Sequence, residues 1–383
     1  MRLSRVAALR AGMHRIRGHL VFAGLLTLFV VSAGSNRAQG AQGYAFGVDG
    51  EYVAIETGTF RVVGSGNLWS TFFDSDAQRQ EFTAKAGIDP PLLPAVKISR
   101  PTTDSPRNRV FFLIGITKLG EDFGYLIARL DTLKYIDVLP RSMSPEDAGI
   151  LVDPAGALIY VSHGDPGSDT ISTVVYDGST LQLLREYEDS QPYVNTPSCF
   201  VSAQSLYANG VLFDTRNEGV IRELPSSLSE KPVSCEKGLL LLVTTPPDGT
   251  TNLKVYDIAS SQTVRETRTG LVLDAVHDGE WRLSKDARLI IRNETITVFL
   301  PDGDRTIRRT GKLVFFDVQS GRQVGTIQLV LDDPDDNGIR GASPDGGLLF
   351  FYSGKKLYVV DLIQLALVKE IVLPFRPVGI IWP

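Results

Sequence analysis

Histidine and cysteine are scarce in this 383-residue chain, with four of the first and two of the second. Only His163 and His277 lie beyond residue 20. No H-x-x-x-H pair and no doubled C-x-x-C occurs, which argues against a zinc centre. There is no G-x-S-x-G elbow, P-loop or dinucleotide fingerprint, so the commonest locally legible catalytic and nucleotide sites are missing. Positive charge is also short. A net charge of −5 gives no global basic footprint for nucleic acid. The longest apolar run, LVFAGLLTLFVVSA (Leu20–Ala33), has 14 residues, whereas a membrane span needs about 20. After residue 41 no long segment has a 3.6-residue period; AQRQEFTAKAG (77–87) comes nearest and is short. What remains is ordinary for a folded domain: 43% apolar and 22% charged residues exclude low-complexity disorder.

Charge is unevenly placed. Residues 1–40 hold six arginines and no acid, so residues 41–383 carry a net −11. A positive segment, a short apolar run and small residues after it read as a secretory leader, with cuts expected after Ala33 or Gly40. Met13 as the start would give a more usual n-region. The alternative is an uncleaved N-terminal anchor, which would be the chain's sole membrane contact. A transit peptide would also be Arg-rich, but its helix would be amphipathic, not uniformly apolar. Residues 41–383 are therefore expected to form a single domain outside the cytoplasm, secreted or periplasmic.

The body of the chain repeats. STFFDSDAQRQEFT (Ser70–Thr83) matches LVFFDVQSGRQVGT (Leu313–Thr326): apolar residues, an Asp, a polar turn, then another alternating segment. The same signature marks Asp74, Asp131, Asp177, Asp214, Asp257, Asp317 and Asp361. A Ser-, Pro-, Asp- or Gly-rich turn followed by a β-prone run precedes most of them, as in SPDGGLLFFYSG (343–354), DPAGALIYVS (153–162), CEKGLLLLVTT (235–245) and DSPRNRVFFLIG (104–115). Short β-branched or aromatic runs bounded by Gly and Pro predict buried strands. The recurring Asp predicts a turn residue whose carboxylate accepts backbone N–H bonds, not a catalytic acid.

Seven such units of three or four strands predict an all-β chain, a seven-bladed β-propeller, with six or eight blades as alternatives. Blades that cannot bury both faces alone stack around an axis. VGIIWP (378–383) reads as an innermost strand, and GVDGEYVAIE (47–56) reads as the turn and strand after one. The C-terminal strand is therefore expected to complete the first blade and close the ring.

SPDGGLLFFYSGKKLYVVDLIQLALVKEIVLP resembles one blade of the YVTN-type propellers, relatives of the WD-repeat and quinoprotein-dehydrogenase-like propellers. No unit carries the Tyr-Val-Thr-Asn string itself; IYVS (159–162) and LLVTT (241–245) come nearest. The resemblance implies a periplasmic or cell-surface propeller and leaves activity open. A recognisable scaffold without a recognisable catalytic constellation points to a non-enzymatic binding module for a protein, peptide or small ligand, monomeric and indifferent to nucleic acid. The alternative is a propeller enzyme, a lactonase-type hydrolase or a periplasmic dehydrogenase subunit.

Loops between blades, and between a blade's second and third strands, share one face of a propeller. That face is the expected ligand site, through His163, Asp165, His277, Asp278, Glu280, Arg340 and Arg376. It reads as mainly acidic, attractive to cations or basic peptides. DPDDNG (333–338) fits the opening of a calcium loop through Asp333, Asp335 and Asn337, although position twelve is Pro344 instead of the bidentate Glu. Calcium is the one cofactor the sequence suggests. Cys199 and Cys235 fall at nearly corresponding places in adjacent units, so a disulfide between inner strands is one reading and two buried thiols the other. Asn293-Glu294-Thr295 is a glycosylation sequon that would matter in a eukaryotic source.

Overall fold

Runs of apolar residues bounded by Gly, Pro and Asp become strands, which pair into seven antiparallel sheets of four. The computed structural model describes residues 42–382 apart from 117–120, 144–148, 165–170, 188–193, 195–196, 218, 225–229, 245–249, 273–279 and 300–304. The expected leader and both of its cut sites lie outside the described residues.

The last blade shows the construction. Asn337–Ala342, Leu348–Ser353, Lys356–Asp361 and Ala366–Val372 lie side by side. Its middle strands are buried on both faces, so they read as continuous apolar runs without alternation. Phe350 and Val359 pack towards Phe375 and Trp382, whereas Leu349 and Phe351 pack towards Leu313 and Phe315 of the preceding blade. Each such side chain contributes roughly 2 kcal/mol by burial. In the SPDG turn before the second strand, Ser343 Oγ accepts the Leu348 N–H at 2.8 Å. Gly346 takes the positive φ of 78° that a side chain would resist. SKDARL in the preceding blade builds the same turn, with Ser284 Oγ accepting the Leu289 N–H at 3.0 Å.

First strands of neighbouring blades touch one another. Pro377–Ile381 meets Lys97–Asp104 and Asn337–Ala342, and Glu230–Glu236 meets Ser198–Ser202 and Glu280–Leu283. First strands therefore surround a common axis and fourth strands form the rim, which is a seven-bladed β-propeller. The ring closes through Pro377–Ile381, which pairs with Gln42–Gly47, Ile381 opposite Tyr44 and Ile380 opposite Ala45. Gln42–Gly47 is thus the second strand of blade one. The Gly47–Gly50 turn joins its second and third strands, one step later than the sequence pattern implies.

Five signature aspartates end third strands and hold the following turn. Asp177 Oδ1 accepts from the N–H groups of Ser179 and Thr180 at 2.8 and 2.7 Å, and Asp361 Oδ1 from those of Ile363 and Gln364 at 2.7 and 2.8 Å. Asp214, Asp257 and Asp317 do the same. Turn N–H bonds, led by that of Thr180 to Asp177 and that of Asn217 to Asp214, keep those two carboxyls below the usual range.

The other two depart from the pattern. Asp131 lies beyond the strand end and pairs with Arg129 at 3.1 Å; the strand-end position in that blade is Arg129 itself, whose carbonyl takes the Leu133 N–H. Asp74 belongs to no blade. The Ser70–Thr83 segment contributes to two helices, Leu68–Thr71 and Asp76–Ala86, inserted between the first two blades. Its match to Leu313–Thr326 sets Gln78 against Gly321. Gly321 takes a φ of 68° and turns the chain, whereas the N–H of Gln78 is capped by Ser75 Oγ at 3.3 Å and the helix runs on to Gly87. The longer helix packs on the rim strand Tyr135–Met143, with Phe82 against Tyr135 and Lys85 paired to Asp137 at 2.9 Å. The strand-end residue of blade one is Glu56, whose carbonyl accepts the Phe60 N–H.

Arginines on rim strands clasp the next blade. Arg222 reaches the carbonyls of Ile258 and Ala259, and Arg265 Nε reaches that of Gln319 at 2.8 Å. Replacing half-buried Arg222 by Ala should destabilise the ring by about 1 kcal/mol. Urea denaturation checks this; an unchanged midpoint would mean the clasp is ornamental.

Candidate functional site

The expected ligand face gathers the loops between blades and those between second and third strands. His163 stands near the end of the second strand of blade three, its backbone opposite Ser172. Glu280 opens the first strand of blade six opposite Asn293. The side chains of both lie outside the described residues, as do Asp165, His277 and Asp278 altogether. The structure joins the remaining two candidates, Arg340 and Arg376, on a residue that the sequence did not single out, Tyr352.

Tyr352 is near the upper end of the second strand of blade seven. Arg340 lies across its ring, guanidinium carbon 4.3 Å from the centroid, and donates to its hydroxyl at 2.7 Å. The hydroxyl donates in turn to Asp336 Oδ1 at 2.7 Å. Arg376, just before the closing strand, pairs with the same carboxylate at 2.5 Å and comes within 3.5 Å of the hydroxyl. Burial, with the bond to Asp336 next, pushes the Tyr352 phenol up from its ordinary value, so it serves as a donor and not as a base at neutral pH. Arg340 has no carboxylate within 4.0 Å among the described residues, so its charge is aimed but uncompensated. A β-bulge between Ile339 and Gly341 places Arg340 there. A bulge depends on strand pairing, so local pattern gave no sign of it.

The DPDDNG loop commits two of its carboxylates to the protein. Asp333 Oδ1 accepts from the N–H groups of Asp335 and Asp336 at 2.9 and 3.2 Å. Asp335 meets Arg308 at 2.7 Å. The Asn337 amide donates to the carbonyls of Asp333 and Pro334 at 3.3 and 2.8 Å. Among the described residues no group of three His, Cys, Asp or Glu is placed to hold a metal, and the Asn337 Oδ1 is buried without a hydrogen-bond partner. Arginines from blades six and one neutralise carboxylates that the local pattern leaves exposed to a cation.

Cys199 and Cys235 form a disulfide with Cα atoms 5.6 Å apart, tying the first strands of blades four and five. Asn293 of the sequon is fully buried in a second strand, so the folded chain offers no glycosylation acceptor there.

Strand pairing and closure define the chain as a seven-bladed β-propeller. No family model and no curated protein sequence matches it. Among solved structures it is similar to Kuenenia stuttgartiensis hydrazine synthase, with 16% identity and a TM-score of 0.47 over 72% of this chain and 86% of that one. It is also similar to the β-propeller domain of Myceliophteria thermophila Cps50 (Swd1), with 12% identity and a TM-score of 0.49 over 73% and 88%. Neither likeness bears on function.

Proposed function

We propose that this propeller is a non-enzymatic, extracytoplasmic binding module that takes a carboxylate-bearing peptide or small ligand at the corner of blades seven and one. The carrying observation is Arg340, held over the Tyr352 ring and to its hydroxyl without a carboxylate of its own among the described residues. A guanidinium fixed in orientation loses little freedom on binding and presents a fork that matches a carboxylate. Tyr352, Asp336 and Arg376 position it. The Arg-rich N-terminal segment, read as a leader, the net −11 of residues 41–383 and the disulfide favour an oxidising compartment and disfavour nucleic acid. The ligand's acidic group provides the counter-charge that Arg340 lacks.

Short peptides ending in a free carboxylate, set against their amidated counterparts, test this by calorimetric titration of the purified protein. The free acids should bind and the amides should not. Arg340→Met should weaken binding by tenfold or more, the scale of one charge-assisted hydrogen bond. Equal binding of acids and amides, or full binding by a folded Arg340→Met protein, would overturn the reading.

A further inference from the structure

We propose that a small inorganic anion of the halide class binds between blades five and six, held by the Arg292 guanidinium and the Trp281 indole N–H. Arg292 is on the second strand of blade six, Leu289–Phe299, directly opposite Trp281 of the first strand. Two residues earlier, Ile290 packs against Leu241 and Leu253 of blade five. Strand alternation therefore turns Arg292 into that same inter-blade seam. Arg292 and Trp281 are each only 5% exposed, and the guanidinium carbon is 5.4 Å from the centroid of the indole ring.

Both residues are left with unused donors. Arg292 Nε and Trp281 Nε1 are buried without a hydrogen-bond acceptor, and so is Oγ1 of Thr251, a fully buried blade-five residue one alternation above Leu253. Glu294 is the acid whose charge acts on Arg292. Its carboxylate is already committed to Lys312 Nζ at 2.9 Å and Thr310 Oγ1 at 3.1 Å. No carboxylate among the described residues lies within ion-pair distance of Arg292. An arginine stays charged at every physiological pH, and a buried charge needs a partner. Arg292 and the indole N–H can only donate, so the partner must accept, which specifies an anion. A water would accept these bonds and leave the charge uncompensated. Both side chains are nearly enclosed, which favours a small monatomic anion over a phosphate or a carboxylate ligand.

Chloride itself is the probe. The intact protein is melted in sodium chloride and in sodium gluconate at matched ionic strength, with Arg340→Met run alongside to remove any response to the gluconate carboxylate itself. The wild type should gain a saturable rise in Tm on the order of 2 °C or more with chloride. Arg292→Met should abolish the difference between the two salts. Trp281→Phe keeps the ring and removes one donor, so it should weaken the apparent chloride affinity several-fold; it serves if Arg292→Met does not fold. Bromide introduced into wild-type crystals should give an anomalous peak within about 3.5 Å of the guanidinium, a hydrogen-bond contact for a large anion. Equal melting in the two salts, a full chloride response in Arg292→Met, or bromide scattered elsewhere would overturn the proposal.

Discussion

Reduction of the Cys199–Cys235 disulfide is expected to lower the unfolding free energy by about 4 kcal/mol. The bridge closes a loop across a sequence separation of 36 residues, and the loss of loop-closure entropy in the unfolded chain scales to that figure. The two sulfurs lie in an apolar cluster with Tyr207, Leu240 and Tyr256. Reduced thiols would remain there as small hydrophobes, so reduction isolates the cross-link from the packing. A Cys199→Ala/Cys235→Ala variant removes buried volume too and should fall at least as far. Denaturant titration with and without reductant checks this in the wild type. An unchanged midpoint on reduction would show that neighbouring-blade contacts alone fix the seam. Glu230–Glu236 meets Ser198–Ser202 of blade four less extensively than it meets Glu280–Leu283 of blade six on its other side. A covalent tie matters most where little else joins neighbours.

Much of this architecture is written in local chemistry, and that part was readable. The SPDG-type turns, the continuous LLFFY-like strands and the strand-end aspartates each need only four to eight residues to act. Five of the seven aspartates hold turns as their spacing predicts. Where the pattern misleads, a competing local signal wins. Ser75 and Gly87 cap a helix inside a segment whose composition mimics a blade, and Gln78 stands where Gly321 turns the chain in the true blade. Glu56 replaces the marker in blade one, so counting aspartates reaches seven by adding one segment that is not a blade and missing one that is.

The site was legible only in its charges. Arg340 and Arg376 stand out as loop-proximal arginines, but they are 36 positions apart and meet only because the ring closes between them. Tyr352 looks like any strand aromatic until its hydroxyl is seen to link Arg340 to Asp336. The calcium pattern is likewise read without its distant partners. DPDDNG is a sound half-motif in isolation, and Arg308 and Arg376, from elsewhere in the chain, occupy its carboxylates. Pairwise chemistry between distant segments leaves no trace in a motif, which is why the fold is legible from local pattern and the contacts of the site are not.

Deletion of residues 377–383 is expected to abolish the cooperative fold altogether. Pro377–Ile381 is the innermost strand of blade one, and its partner Gln42–Gly47 would become an open edge facing the axis. The strand also touches the first strands of both neighbouring blades, so its loss opens two seams at once. Trp382 adds the anchor. It is 93% buried, its ring 4.8 Å from Phe350 and 5.7 Å from Phe60, and Gly43 lies so close beneath it that a side chain there would collide with the indole. Trp382→Ala should cost about 4 kcal/mol by the cavity it leaves between blades one and seven, and it should preserve a cooperative transition at lower temperature. The deletion should instead give a broad transition, dye binding to exposed apolar surface and rapid proteolysis. Adding the heptapeptide PVGIIWP in trans should restore part of the cooperativity by strand addition to the vacated edge. A truncated chain that melts sharply within a few degrees of the intact protein would show that six complete blades and a three-stranded seventh hold the ring without closure. The peptide result then separates a strand that latches the ring from one that merely fills it, because a latch is recovered by pairing and a filler is not.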